Sequence, residues 1–250
     1  MIKVTCPCFR FGKLFIFLTS ILLLSTGGRT VAQTTPDRKI ISYIVDLQKQ
    51  DIEFYWKDDS GQIFGSIQHL KEYLEQRHKK LIFAMNGGMF KPDRSPQGLY
   101  IQRRVIVTPL DTSSGNGNFY MKPNGVFYIT TAGKAVICPT GDFKNSDPIQ
   151  FATQSGPLLL INGAVHPNFR AGSANVNIRN GVGVISDHQV LFAMSADPIN
   201  FYDFAEFFRQ HGCRDALYLD GFVSRTYLPE KHWVQTDGDF GVMIGVVGSQ

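Results

Sequence analysis

Three apolar runs in this chain meet short groups of polar residues and glycine, and those groups carry the residue types that handle a charged substrate. The run 81–85 (LIFAM) stops at Asn86-Gly87-Gly88, the run 216–219 (ALYL) stops at Asp220-Gly221, and the run 158–161 follows Gln154-Ser155-Gly156-Pro157. An apolar run broken this way reads as a core strand running into a sharp turn. Paired glycines at 87 and 88 admit positive φ and aim backbone N–H groups at the strand end, as in an anion-binding nest. If the three ends share one side of a sheet, they make a polar crevice on a rigid scaffold, where ligands bind. Arg179, in the stretch Arg179-Asn180-Gly181, is an anion clamp by its planar fork. Each residue also has a plainer reading. Asp220 caps a turn, Arg179 pairs with a surface carboxylate, and Ser155 satisfies backbone groups.

Other reactive types carry less. Ser155 sits in Gln-Ser-Gly-Pro, not in the Gly-x-Ser-x-Gly of a hydrolase elbow. His166, before Pro167 in an amide-rich loop, is either an acid/base or a loop histidine without function. His69, His78, His211 and His232 have no metal-ligand spacing, and no Cys/His cluster predicts a metal or cofactor. Asp93, Asp197 and Asp203 lie beside prolines or a helix start and read as turns and caps.

The elements that must position these residues are mostly strands. Residues 40–47 and 52–57 read as two strands forming a hairpin. Ser66 caps a helix whose Ile67, Leu70, Tyr73 and Leu74 share one face. Short strands follow at 99–102, 104–108, 118–121, 126–130 and 135–138, with a hairpin turn at 131–134. A strand is expected to begin near Pro157, because proline cannot donate to a central ladder. Residues 166–180 form an irregular loop. Residues 181–186 and 190–195 make a hairpin, 201–211 a second helix stopped by Gly212, and 242–247 a last strand. Strands and helices do not alternate, so the expectation is a single α+β domain with an extensive mixed or antiparallel β-sheet core and a few flanking helices.

Residues 1–32 have the layout of a secretory leader, with an apolar core at 14–24 and small residues before Gln33. A core of eleven residues is too short to span a bilayer, which needs roughly 20, so no stable membrane span is expected after cleavage. An uncleaved anchor is the alternative. This segment holds four basic and no acidic side chains; without it, 21 basic face 21 acidic residues. A neutral mature chain excludes the basic stripe of a nucleic-acid binder. Cys138 and Cys213, the cysteines outside the leader, either form one bridge or are separate thiols.

From about residue 40 to 248 the sequence resembles the phosphodiester glycosidase family. The motifs are Asn86-Gly87-Gly88-Met89-Phe90, Ser95-Pro96-Gln97-Gly98-Leu99, Ser155-Gly156-Pro157, Ile178-Arg179-Asn180-Gly181-Val182-Gly183 and Leu219-Asp220-Gly221. Many members have Arg-Thr-Ala-x-Gly at the fourth motif and further glycines after the Asp-Gly, where this chain has Phe222-Val223. The resemblance implies an exported bacterial hydrolase, of a group associated with exopolysaccharide, occupying residues 33–250. Its substrate would be a phosphorylated carbohydrate, cleaved between the sugar anomeric carbon and a phosphodiester. The implied catalytic residues are Asp220, Arg179 and Asn86, with Gly87, Gly88, Ser155, Gly156, Asn180, Gly181 and Gly221 around the substrate. A non-catalytic envelope protein that binds phosphorylated glycans is the alternative, and a structural envelope protein the third reading. Sugar, aglycone and oligomeric state stay open.

Overall fold

Along Gln189–Ser195 the side chains divide strictly by period two. Val190, Phe192 and Met194 enter one core, and Leu191 and Ala193 another. A strand buried on both faces needs a layer on each side, and that requirement organises the molecule. The computed structural model describes residues 1–5, 40–145 and 148–249. The chain divides into two units, 1–35 and 36–250. In the first, residues 1–5 carry no helix or strand, and the leader's apolar core, with Cys6 and Cys8, lies outside the described residues. The helices and strands belong to the second unit.

In chain order its elements are β1 (Ile40–Asp46), β2 (Asp51–Tyr55), α1 (Ile67–Glu75), β3 (Lys79–Gly88), β4 (Tyr100–Gln102), β5 (Val105–Thr108), β6 (Gly125–Thr130), β7 (Ala135–Pro139) and β8 (Ile149–Ser155). There follow β9 (Leu158–Ile161), β10 (Ala164–Val165), β11 (Asn180–Ser186), β12 (Gln189–Ser195), α2 (Phe201–Gln210), β13 (Asp215–Tyr218), β14 (Thr226–Leu228), β15 (Trp233–Val234) and β16 (Val242–Ser249). They form three sheets, ordered β1-β12-β11-β13-β9-β10, β15-β14-β3-β16-β2 and β5-β4-β8-β6-β7. The described strand pairs are antiparallel. The fold is therefore β-dominated, with two α-helices among the described residues, and fits α+β in that coarse sense.

The inner faces of all three sheets meet in one core, where Phe54, Phe83, Phe127, Phe151 and Phe192 pack with Val182, Leu217 and Ile244. Each helix covers an outer face. Ile67, Leu70 and Leu74 of α1 lie on Leu81, Ala84 and Met243. Phe204, Ala205 and Phe208 of α2 lie on Leu191, Ala193 and Ala216. Both helices start on the side-chain caps expected of Ser and Asn. Ser66 Oγ accepts from His69 N–H at 3.2 Å, and Asn200 Oδ1 from Asp203 N–H at 2.8 Å. Gly212, at φ +79°, ends α2.

Four expectations are corrected. β1 and β2 do not pair as a hairpin: β1 pairs with β12, and β2 with β16 in another sheet. Their link, Leu47 to Gln50, lacks the Asn-Gly chemistry of a tight hairpin, and Asp46 turns it instead through its carbonyl and carboxylate. Residues 118–120 form a 3-10 turn rather than a strand, entered through Gly117 at φ +88°. Gln154 and Ser155 are strand residues of β8, not a turn. Gln154 is satisfied inside the structure, accepting from Leu99 and Asp111 N–H and donating to the Asp111 carbonyl. The expectation of a strand start near Pro157 holds for β9 but missed β8 before it.

The last correction is at Asn86-Gly87-Gly88, which belongs to β3 rather than to a turn. Neither glycine has positive φ. Gly88 is opposite Val242 and Asn86 opposite Met243, so Gly87 is the extra residue of a bulge. The glycines are there for close approach. A Cβ on Gly87 would lie 2.7 Å from Ile244 Cγ1, and one on Gly88 2.5 Å from Thr153 Oγ1. A strand crossing in this place has no nest of free amides to offer.

Candidate active site

The polar ends of β3, β8, β11 and β13 do converge, and the hydrogen bonds show what each contributes. Asn86, 1% exposed, is a hub. Its Nδ2 donates to the Asp220 carbonyl at 2.7 Å, and its Oδ1 accepts from Asn180 Nδ2 at 2.9 Å and from Arg225 N–H at 3.1 Å. Asn180 closes the loop by accepting the Asp220 N–H at 2.8 Å. Ser155 Oγ donates to the Leu219 carbonyl at 2.6 Å, and Ser224 Oγ to that of Asp220 at 3.0 Å. Both backbone groups of Asp220 are thus held by side chains of other elements, and its carboxylate accepts the Phe222 N–H. Asn86, Asn180 and Ser155 commit their hydrogen-bonding groups to this backbone. Through these bonds they hold the backbone at Leu219 and Asp220 in place.

The Asp220 carboxyl is pushed up to about 6 by burial, partly offset by the Phe222 N–H that bonds its ionised form. Two residues earlier, Tyr218 OH accepts from Gly221 N–H at 2.6 Å. A side chain at Gly221 would strike that hydroxyl and the Ile178 carbonyl, which is why the position is glycine. Burial raises the Tyr218 phenol, Asp220 raises it further and Arg179 pulls it down.

Arg179, 1% exposed, is the largest fully buried side chain described. Its Nε donates to the Ile199 carbonyl at 2.8 Å, and one Nη to the carbonyl and Oδ1 of Asn175 at 2.9 and 3.2 Å. The guanidinium lies 3.4 Å above the Phe201 ring. Ser195 fixes its backbone, accepting the Arg179 N–H at 2.9 Å. Burial lowers its pKa, and the one group that opposes this is the Tyr218 hydroxyl. It forms no ion pair with a carboxylate among the described residues. A buried cation without a counter-charge is costly unless an anion completes it. A cavity of about 170 Å³ is lined by two residues that touch this guanidinium, Asn175 and Phe201, together with Arg170 and Tyr202.

Residues 79–246 match the family model for phosphodiester glycosidases. The chain belongs to the phosphodiester glycosidase family. Among its relatives is the uncharacterized protein YigE of Escherichia coli (strain K12), 34% identical over 217 residues, covering 86% of this chain and 85% of that one. The fold is also similar to the catalytic domain of zebrafish N-acetylglucosamine-1-phosphodiester α-N-acetylglucosaminidase, auto-inhibited by its pro-peptide, with a TM-score of 0.58 at 15% identity. That match covers 86% of this chain and 84% of the zebrafish one. A hypothetical protein from Synechocystis is similar at TM-score 0.53 and 11% identity, over 83% of this chain and 59% of that one.

In this phosphodiester glycosidase chain, the predicted Asp220, Arg179, Asn86, Asn180, Ser155 and Gly221 come together. Gly87, Gly88, Gly156 and Gly181 pack instead; a Cβ on Gly156 would lie 2.6 Å from that of Asn124, and one on Gly181 2.8 Å from the Leu217 carbonyl. His166 lies in the loop after β10. It stacks on Phe169, accepts from Asn168 N–H at 3.2 Å, and burial holds it below the ordinary histidine range. Cys138 and Cys213 are free thiols, pushed up to about 11 and about 12 by burial. The sequence reading missed Tyr218, Phe201, Ser195 and Ser224. Tyr218 was within reach, since its spacing of two from Asp220 puts both on one side of an extended chain. The others act through contacts between distant segments.

Proposed function

We propose that this protein is an exported hydrolase that cleaves the bond between a sugar anomeric carbon and a phosphodiester. The observation that carries the reading is the pair Arg179 and Asp220: a buried cation without a carboxylate partner among the described residues, 5.7 Å from the centre of the Tyr218 ring, and a half-buried carboxylate two residues along the chain from that tyrosine. The Arg179 fork would hold the phosphate oxygens, a geometry planar guanidinium suits. It would stabilise the charge that gathers there as the glycosidic bond breaks. A departing phosphate monoester, with a second pKa of about 6, needs little protonation. The demanding centre is then the oxocarbenium-like anomeric carbon, which calls for a carboxylate as nucleophile or as base for water. With its pKa near 6, Asp220 is mostly ionised at neutral pH and suits either role. Asn86, Asn180 and Ser155 would serve as positioning residues. The leader expectation supports export, with maturation before Gln33; the mass of the mature N-terminus tests it.

The deciding experiment is a product screen of the purified protein against a panel of sugar-1-phosphodiesters, with reducing sugar and phosphate monoester as readouts. Turnover that is lost in Asp220→Asn and Arg179→Ala, in folded protein, is the expected result. Saturable binding without product from any substrate would move the reading to a glycan binder. Full turnover in both variants would remove these two residues from the mechanism.

A further inference from the structure

We propose that Phe222 is the platform on which the sugar ring of the substrate stacks, a specificity-determining contact beside the reacting carbon. The inference rests on the hydrolase reading above. Phe222 is 94% exposed, the most exposed aromatic side chain among the large hydrophobic residues described. It is also two residues from Asp220, and its N–H bonds the Asp220 carboxylate. The turn that presents it is anchored on both sides. Gly221 N–H is held by Tyr218 OH, Ser224 N–H by the Gly221 carbonyl at 3.1 Å, Ser224 Oγ by the Asp220 carbonyl, and Arg225 N–H by Asn86. Val223 packs inward against the core under α1. Among the described residues nothing covers the Phe222 ring.

The other aromatic faces near the site are taken. Phe201 has Arg179 over its ring at 3.4 Å and Phe169 stacked at 4.8 Å with planes 6° apart. Both cannot lie on one face at those distances, so both faces are filled. Tyr218 meets Phe201 at 82° and commits its hydroxyl to Gly221. The cavity beside Asn175 therefore shows these stacked rings edge-on. Beside Asp220 the free face is that of Phe222. Tyr218, Asp220 and Phe222 lie two residues apart along the chain, and Arg179 lies 5.7 Å from the centre of the Tyr218 ring, so on the hydrolase reading the phosphate would lie toward Arg179 and the sugar toward Phe222. An aromatic face carries partial negative charge and suits the C–H side of a pyranose, whose carbons bear the positive charge of the transition state.

The test compares wild type with Phe222→Ala, Phe222→Leu and Phe222→Trp on sugar-1-phosphodiesters that differ in sugar or in aglycone. A second assay, independent of turnover, titrates Phe222→Trp with glucose 1-phosphate, N-acetylglucosamine 1-phosphate and methyl phosphate, reading fluorescence against wild type. Phe222→Ala is expected to raise KM about tenfold, the factor for losing roughly 60 Å² of apolar contact. The loss should be the same for every aglycone, with the melting temperature unchanged and Phe222→Trp within about twofold of wild type, a volume-tolerant aromatic swap. The signal of the introduced indole should saturate with a sugar phosphate and ignore methyl phosphate. A wild-type KM in Phe222→Ala would overturn the inference while leaving the hydrolase reading intact. If wild type turns over nothing, the hydrolase reading falls and the fluorescence titration alone decides Phe222. No response to either sugar phosphate, or an equal response to methyl phosphate, would then overturn it.

Discussion

Replacing Asp220 with asparagine should abolish activity and yet make the protein more stable at neutral pH. The Asp220 carboxyl rises from an ordinary 3.8 to about 6 in the folded chain, and burial is the main cause. Between those values the folded state holds a proton that the unfolded state has released. Wild-type stability therefore falls as pH rises from about 4 to about 6, and the loss is complete above that window. A shift of roughly two units corresponds to at most about 3 kcal/mol, at 1.36 kcal/mol per unit. The asparagine variant removes the titration while its Oδ1 still accepts the Phe222 N–H. Its advantage should be near zero below about pH 4 and reach about 1–3 kcal/mol at pH 7.5, or roughly 2–12 °C in melting temperature for a domain of this size. Thermal unfolding by circular dichroism at pH 4, 5, 6 and 7.5, run on both proteins beside the product assay, measures it. A melting difference that does not change with pH, or that favours wild type at pH 7.5, would refute the argument that Asp220 is held ionised at a cost.

The same carboxylate should give kcat/KM an ascending limb with an apparent pKa near 6, because the ionised form is the working one; a profile flat from pH 4.5 to 7.5 would assign the chemistry elsewhere. Inorganic phosphate should raise the melting temperature of wild type, by about 2.7 kcal/mol of stability at a hundred times its Kd, and not that of Arg179→Ala. Arg179→Lys should recover little, since the site uses the fork of donors and the flat face over Phe201. Differential scanning calorimetry in phosphate against chloride reads both variants. Gly88→Ala should destabilise by about 1–3 kcal/mol through overpacking, and Thr153→Ala, by deleting the Oγ1 that the new methyl meets, should relieve part of that cost. Additive effects in the double mutant would contradict the close-approach account of Gly88.

Much of this fold was legible because its signals are local. The helix over 67–75 follows from a serine cap and one apolar face, and the hairpin of β11 and β12 from two apolar runs separated by Asp187-His188-Gln189. The pairing of β1 and β2 with strands more than a hundred residues away was not legible, since nothing in either run names a distant partner. At the site, Arg179 and Asp220 stood out by chemical type. Asn86, Gln154 and Ser155 misled for an instructive reason. A polar residue after an apolar run reads as a turn when its partners are unknown, but a buried strand can hold it if distant backbone groups satisfy it. Gly87 and Gly88 misled likewise: glycine signals either positive φ or a near neighbour, and the sequence does not say which.

Arg179 and Asp220 are each uncomfortable alone, and the simplest relief would be contact with one another. They do not form that ion pair. Tyr218 is a neutral phenol whose titration both groups perturb, and it is fixed by the Gly221 N–H. The Asp220 backbone is pinned from Asn86, Asn180 and Ser224, and the Arg179 guanidinium from Ile199, Asn175 and the Phe201 ring. On the proposed hydrolase reading the two groups would be completed by a sugar phosphodiester in the course of cleavage, with its phosphate toward Arg179 and its anomeric carbon toward Asp220. Electrostatic preorganisation of this kind favours the transition state over the substrate, because the second charge appears only as the bond breaks. A Tyr218→Phe variant would keep the ring and lose the hydroxyl that accepts the Gly221 N–H; a melting temperature and pH profile both equal to wild type would show that this hydroxyl matters to neither group.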